Sequence, residues 1–337
     1  MADTSKQLLG LGLDVGTMNV VSARRSGPEQ VETARVRDAF LDLEEGAKKM
    51  LKLSGINFID KGKDGIVVVG DSALEMANVF GREARRPLAR GLISAGEIEA
   101  LEILGILIKN LIGPPRIPGE VCYFSVPAAP VDEKRDVVYH RGVFERIITE
   151  CGYKAVAANE AMAIVYAETA RDGFSGLGIS FGSGMANIAL SVSGVEGLTF
   201  AVARGGDWID AGAASATGAT ASRMCALKER GFDLMAPVGR EQEALALYYK
   251  ALIEYVIAAI SNEFAKIKDR FALPKAIPIV VSGGTAMAGN FLPFFKHTFE
   301  PKRARFPIEI SEIRQASDPL NAVARGLLIQ AMQEYES

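Results

Sequence analysis

The sequence predicts an α/β protein of two duplicated domains around a cleft. Two observations carry this. Gly10–Gly16 reads GLGLDVG and Gly176–Gly182 reads GLGISFG: four of seven positions are identical, at an offset of 166 residues in a chain of 337. Strand-like and helix-like stretches alternate after each copy, the pattern of sheets covered by helices. The length fits two domains at about 150 residues each.

Each repeat continues through a short polar turn into a second apolar run, TMNVVSARR after the first and SGMANIALSVS after the second. Both read as strand, tight glycine turn, strand. Val121–Val126 (VCYFSV) reads as a buried strand ended by Pro127. Over Val131–Cys151, Val137, Val138, Phe144, Ile147 and Ile148 recur at helical spacing, and Gly152 is a natural stop. Ala155–Ala158 is a brief strand. Asn159 can cap a helix over Glu160–Arg171, stopped by Asp172-Gly173. Glu241–Phe271 is a long amphipathic helix, and Ile277–Val281 is a strand leading into a glycine turn at Gly283-Gly284. Asp318-Pro319 opens a last helix with Leu320, Val323, Leu327, Leu328 and Ala331 on one face. The alternation implies parallel sheets with both faces covered.

With 38 basic and 41 acidic residues the net charge is −3, so bulk nucleic-acid binding is not expected. Cys122, Cys151 and Cys225 are an odd number at long spacings with no C-x-x-C, which fits reduced thiols in a cytoplasmic protein. The opening MADTSKQLLGLGLD lacks the charge and apolar pattern of a signal peptide. Ala244–Ile260, the stretch nearest to a membrane span, is interrupted by Lys250 and Glu254.

A glycine turn that offers backbone N–H groups with no Cβ in the way can bind phosphate, and two facing turns can clamp a polyphosphate. The P-loop signature is absent and the G-x-G-x-x-G spacing is not met. Asp14, at the tip of the first hairpin, would need a cation beside phosphates, and magnesium held partly through water is the usual one; it also suits an Asx turn. Glu160, between a strand and a helix, can aim its carboxylate into the crevice above the strand ends to position a water. From spacing alone the simpler reading is preferred, an acid favoured by the helix dipole. His140 and His297 read as structural, Trp208 as packing at a domain edge, and the basic cluster Arg82–Arg90 as a solvated loop, with an anionic membrane surface as the sharper alternative.

These residues resemble the actin-like ATPase superfamily, and within it the bacterial MreB-like cytoskeletal proteins. GLGLDVGTMNVV resembles the first phosphate motif and GISFGSGMANIAL the second. VVGDSALEMANVFGR and RRPLARGLISAGEIEALEILGILI resemble the stretch after the small insertion of the first domain. FSVPAAPVDEKRDVV resembles the valine-proline segment, and ANEAMAIVYA and DPLNAVARGLLIQA the two connecting helices. ARGGDWIDAG resembles the Gly-Gly-Asp segment, GATASRMCALKE the helix lining the nucleoside, and VVSGGTAMAGNF the adenosine motif.

The resemblance implies two actin-like, ribonuclease-H-like domains holding ATP (or GTP) and Mg²⁺ between two hairpin loops. The first domain would be residues 1–157 plus 315–337, with an insertion over about 35–75. The second would be 158–314, with a reduced insertion over about 208–240. Asp14, Gly16, Thr17, Met18 and Asn19 would lie at the phosphates, with Asp14 reaching the metal through water. Gly182, Ser183 and Gly184 would face them, with Gly205 and Gly206 beside the nucleotide. Lys228 and Glu229 would sit near ribose and base, Gly283, Gly284 and Thr285 would pack on the adenosine, and Glu160 would orient the hydrolytic water.

Two departures matter. Ser180 stands where the second phosphate motif normally begins with aspartate, and Met185 replaces the usual threonine, so slow hydrolysis or weak magnesium dependence is expected. Only about 30 residues separate Asp207 from the long helix at Glu241; Ala213–Leu227 can supply a helix, but GFDLMAPVGRE leaves little for strands. The expected function is a weak ATPase that assembles head-to-tail with itself into cytoplasmic filaments, with a membrane surface or membrane-bound adaptor as a further partner. The alternative is a non-polymerising, chaperone-like or scaffold nucleotide switch. A sugar or acetate kinase of the same superfold ranks last.

Overall fold

The computed structural model describes residues 8–336 apart from 57, 95, 98, 269–272 and 274–275. The first half contains β1 (Leu11–Val15), β2 (Asn19–Arg25), β3 (Val31–Arg37), β4 (Phe40–Leu43), α1 (Lys48–Leu53), β5 (Phe58–Asp60), β6 (Ile66–Val69), α2 (Asp71–Phe80), β7 (Leu88–Ala89), β8 (Leu92–Ile93), α3 (Ala100–Ile112), β9 (Val121–Val126), α4 (Val138–Glu150) and β10 (Lys154–Asn159). Then come α5 (Glu160–Glu168), β11 (Gly176–Phe181), β12 (Ala186–Val192), β13 (Val195–Val202), α6 (Gly206–Thr217), α7 (Ala221–Glu229), α8 (Gly239–Ala265), β14 (Ile277–Ser282), α9 (Phe291–Arg303), β15 (Ile310–Gln315) and α10 (Ala322–Gln333).

The two halves build the same sheet twice. The five-stranded orders are β10-β9-β1-β2-β3 and β13-β12-β11-β14-β15. In each, three strands form an antiparallel meander and two further strands join in parallel, β9 and β10 in one, β14 and β15 in the other. The sheets are therefore mixed, which corrects the expectation of parallel sheets. The repeat itself is the reason, because a tight hairpin can only make an antiparallel pair.

The repeated glycines have distinct mechanical jobs. A Cβ on Gly12 would strike the Ala324 carbonyl of α10, and a Cβ on its counterpart Gly178 would lie 2.6 Å from the Ala161 carbonyl of α5. One connecting helix thus lies close on each first strand. Gly16 and Gly182 close the hairpin turns, donating N–H to the carbonyls of Asn19 and Met185, both at 3.0 Å.

Several boundaries differ from the sequence expectation. The helix expected over Val131–Cys151 begins at Val138, which is 72 % exposed and not part of the buried face. Ala213–Leu227 is two helices rather than one. Gly218, with φ of +79°, ends α6, and the Thr220 hydroxyl caps α7 by accepting from the Arg223 N–H. α8 ends at Ala265, so Phe271, where it was expected to stop, lies outside the described residues. By length and composition α8 could cross a membrane, but Leu245, Tyr249, Ile253, Val256 and Ile260 are packed in the core of the second half. α10 starts at Ala322; Asp318–Asn321 form a turn before it. Between β13 and α8, α6 and α7 are followed by one isolated β-bridge, Asp233–Gly289, and no strand among the described residues. The small sheet β4-β6-β5 forms the insertion of the first half.

His140 is buried against Phe144, ring centroids 4.7 Å apart, and neither of its nitrogens has a partner among the described residues. Burial pushes its pKa from 6.5 down to about 4. The unfolded chain therefore binds this proton first, and stability is lost as pH falls from about 6.5 through about 4. His140→Leu is expected to gain on the wild type by about 3 kcal/mol between neutral pH and pH 4, read from urea midpoints at each pH.

Candidate active site

The two hairpins meet across a cleft of about 450 Å³, within the range that encloses a small-molecule ligand. Asp14, Gly16, Thr17, Met18 and Asn19 line it from the first half, and Gly182, Ser183, Gly184 and Met185 from the second. Glu160, Gly206, Lys228, Glu229, Gly283, Gly284 and Thr285 line it too. Gly205 does not. It sits behind the second loop, where a Cβ would lie 2.5 Å from the Ser183 carbonyl.

Asp14 is not at the hairpin tip but one residue inside β1, opposite Val21. The Ser125 hydroxyl donates to its Oδ1 at 2.8 Å and accepts from the Val15 N–H at 2.7 Å, which ties the first loop to the end of β9. Glu160 is the first residue of α5, fixed there because the Asn159 side chain accepts from the N–H groups of Ala161 and Met162 at 2.9 and 3.1 Å. Such a cap contributes about 1 kcal/mol. Both Glu160 oxygens are held from the second sheet. The Ser180 hydroxyl donates to Oε1 at 2.5 Å and the Asn187 amide to Oε2 at 2.9 Å. Asn187 also accepts the Ala128 N–H at 3.1 Å, linking both halves at Glu160.

Asp14 and Glu160 are partly buried at the floor of the cleft, and the charge of Asp14 acts on Glu160. Burial pushes both carboxyls above the usual range; Asp14's charge pushes Glu160 further, and the Ser125 and Ser180 hydrogen bonds hold them back in part. Two partly buried carboxyls lining one cleft are the chemistry a hard divalent cation relieves. Among the described residues no three His, Cys, Asp or Glu side chains cluster closely enough to form a metal site by themselves, so any such ion would draw most of its ligands from water and a bound ligand.

At the other end of the cleft, Lys228 Nζ lies 2.8 Å from Asp210 and donates to the Gly206 carbonyl at 2.9 Å. Glu229 pairs across the cleft with Arg37 at 2.7 Å. Gly283, at φ +96°, leaves no room for a Cβ against Phe181 and donates to the Pro319 carbonyl. The Thr285 hydroxyl donates to the Gly182 carbonyl at 2.9 Å and so buttresses the second loop from below.

The segment Arg82–Arg90 is mostly loop with Arg82, Arg85 and Arg90 exposed, as expected, but its arginines are engaged rather than free in solvent. Arg82 donates to the Asp42 carbonyl, Arg85 pairs with Asp42 and Glu97 and lies over the Phe40 ring, and Arg86 crosses to Asp207 at 3.2 Å. Trp208 packs edge-on to Tyr248 with Arg204 over its ring. Asn187 and Gly91 line the cleft, and Ser125 and Arg86 support its lining residues Asp14 and Ser183, although sequence reasoning did not single them out. Ser125 and Asn187 carried a signal, since each is a polar residue inside an apolar strand.

Comparison with known proteins agrees with this architecture. The chain is 18% identical to the protein of a MamK double helical filament, with 96% of this chain and 98% of that one covered and a TM-score of 0.71. MreB5 of Spiroplasma citri bound to ADP is 17% identical over 98% of both chains, TM-score 0.65. The ethanolamine utilization protein EutJ from Carboxydothermus hydrogenoformans is 15% identical over 96% of this chain and 89% of that one, TM-score 0.54. No curated protein matches the sequence. At these identities the likeness is one of fold, the two-domain actin-like fold. The sequence profile of the volactin family matches residues 9–331, and the chain belongs to that family.

Proposed function

We propose that this chain is an actin-like cytoskeletal protein that binds ATP with magnesium between its two hairpin loops and assembles head-to-tail into cytoplasmic filaments. The observation that carries the reading is the juxtaposition of two glycine hairpins, one from each half, over the carboxyls of Asp14 and Glu160 at the floor of the cleft. The hairpin amides would cradle the phosphates. Magnesium would neutralise the charge shared by phosphates, Asp14 and Glu160, with Asp14 reaching it through water. Gly283, Gly284 and Thr285 would support the nucleoside, and Lys228 and Glu229 would border the ribose and base. The solved neighbours include a MamK filament and MreB5 bound to ADP, which supports both halves of the reading.

Hydrolysis in such a site is positioning and electrostatics. Glu160 would hold the attacking water, but both its oxygens already accept hydrogen bonds and burial favours its protonated form. Turnover is therefore expected to be slow. A non-closing head-to-tail contact gives an open polymer. The slender region between β13 and α8 favours the second reading, a monomeric nucleotide switch.

High-speed pelleting with and without ATP and magnesium, with negative-stain imaging of each pellet, tests the proposal. Nucleotide-dependent filaments are expected. A chain that binds nucleotide yet stays in the supernatant at every concentration would replace the filament reading with the switch. A chain that binds no nucleotide removes both.

A further inference from the structure

The short hairpin β7–β8 lies between the two loops and touches both. At its turn, Arg90 and Gly91 have φ of +51° and +84°. The Gly91 N–H donates to Thr17 Oγ1 of the first loop at 3.0 Å. Gly91 also faces Met185 and Gly184 of the second loop so closely that a Cβ on either glycine would collide. Behind the hairpin, buried Asp38 donates its N–H to the Met18 carbonyl at 3.0 Å and accepts the Leu88 N–H at 3.1 Å. Just before the hairpin, Arg86 reaches the other half. Its guanidinium lies 3.2 Å from Asp207 Oδ1 and 3.4 Å from Ser183 Oγ, and that hydroxyl donates to the same Asp207 oxygen at 2.7 Å.

We propose that Arg86 is a positioning residue that couples the two loops: through Asp207 it fixes Ser183, and with it the second loop, only when the halves are closed. The proposal rests on the nucleotide reading for its ligand but not for its geometry. Asp207 lies in the first turn of α6, where its charge is favoured whether or not Arg86 is near. Arg86 reaches Asp207 from the other half, so this contact would be lost if the two halves moved apart. The side chains are 32 % and 27 % exposed, so the pair is partly shielded from water and stronger than a surface pair. Anything bridging the two loops favours closure and so favours this contact. By linkage, losing the contact must weaken that ligand by the same factor.

The test uses Arg86→Ala, Asp207→Asn and the double variant, with Arg85→Ala as a control whose ion pairs stay within the first half. Without nucleotide, hydrogen exchange of the Gly182–Gly184 amides is expected to rise at least about threefold in either single variant, and no further in the double. With a fluorescent ATP analogue and magnesium, dissociation is expected to be about tenfold faster in the same variants and unchanged in Arg85→Ala. Unchanged exchange at the second loop in Arg86→Ala, or single effects that add in the double variant, overturns the proposal. Faster exchange in a protein that binds no nucleotide upholds the coupling and sinks the nucleotide reading. Tight analogue binding that ignores Arg86→Ala does the reverse.

Discussion

Gly326→Ala is expected to destabilise the protein severely, by at least about 3 kcal/mol, although the substitution normally favours a helix. Gly326 lies in the middle of α10, where an alanine in open surroundings would gain about 1 kcal/mol of helix propensity. Here a Cβ would sit inside the van der Waals envelope of the Ala163 carbonyl of α5, with the Ala163 Cα 2.9 Å away. No flexible side chain is there to move aside, so the two backbones must separate. They cannot separate freely, because Gly12 holds α10 on β1 and Gly178 holds α5 on β11 by close approaches of their own, where a Cβ would lie 2.1 and 2.6 Å from a helix carbonyl. The shift must propagate into one sheet or the other. Gly105→Ala in α3, whose Cβ would meet nothing within 4 Å, is the control and is expected to stabilise by about 0.5–1 kcal/mol. Urea midpoints with unchanged slopes would report both. If Gly326→Ala proves as benign as Gly105→Ala, the α5–α10 crossing is looser than described.

That joint also shows what the sequence could and could not disclose. The GLGLDVG and GLGISFG copies announced a duplication, and their final glycines are the turn residues they were expected to be. Gly12 and Gly178 are packing glycines, a role the repeat did not disclose because the helices that cross them come from distant parts of the chain. Periodicity located α8 and α10 but not their ends, which are set by local turns such as Asp318–Asn321. Most residues that line the cleft were named through the resemblance of several short motifs taken together, since each motif alone is weak. Arg86 was not, because a run of arginines and prolines has no periodicity, and only the folded chain shows that Asp207 waits for it. Ser125 and Asn187 stood as isolated polar residues in apolar strands, a weak signal that acquires meaning once Asp14 and Glu160 are seen beside them.

The last prediction concerns those carboxyls. If the proposed ATP site is correct, Glu160→Gln is expected to lower turnover at least about 100-fold while leaving nucleotide affinity nearly unchanged, since glutamine keeps the shape but cannot take on negative charge. The residual wild-type rate should rise with pH. Burial and then the charge of Asp14 push the Glu160 carboxyl upward, so the carboxylate that would orient a water is scarce at neutral pH and is released as pH increases. The Gln variant should lack this limb. Ser180→Asp separates two explanations of slow turnover. A carboxylate in place of the Ser180 hydroxyl removes a hydrogen bond that Glu160 now accepts at 2.5 Å and adds a like charge, which by itself raises the Glu160 carboxyl still further. Only a bound cation can reverse that penalty. The variant should therefore be slower than the parent in chelator and faster in millimolar magnesium. If it is no faster at any magnesium concentration, the missing acid is not what limits hydrolysis. The raised Glu160 carboxyl and its clamp by Asn187 then remain, and faster turnover in Asn187→Ala would identify the clamp.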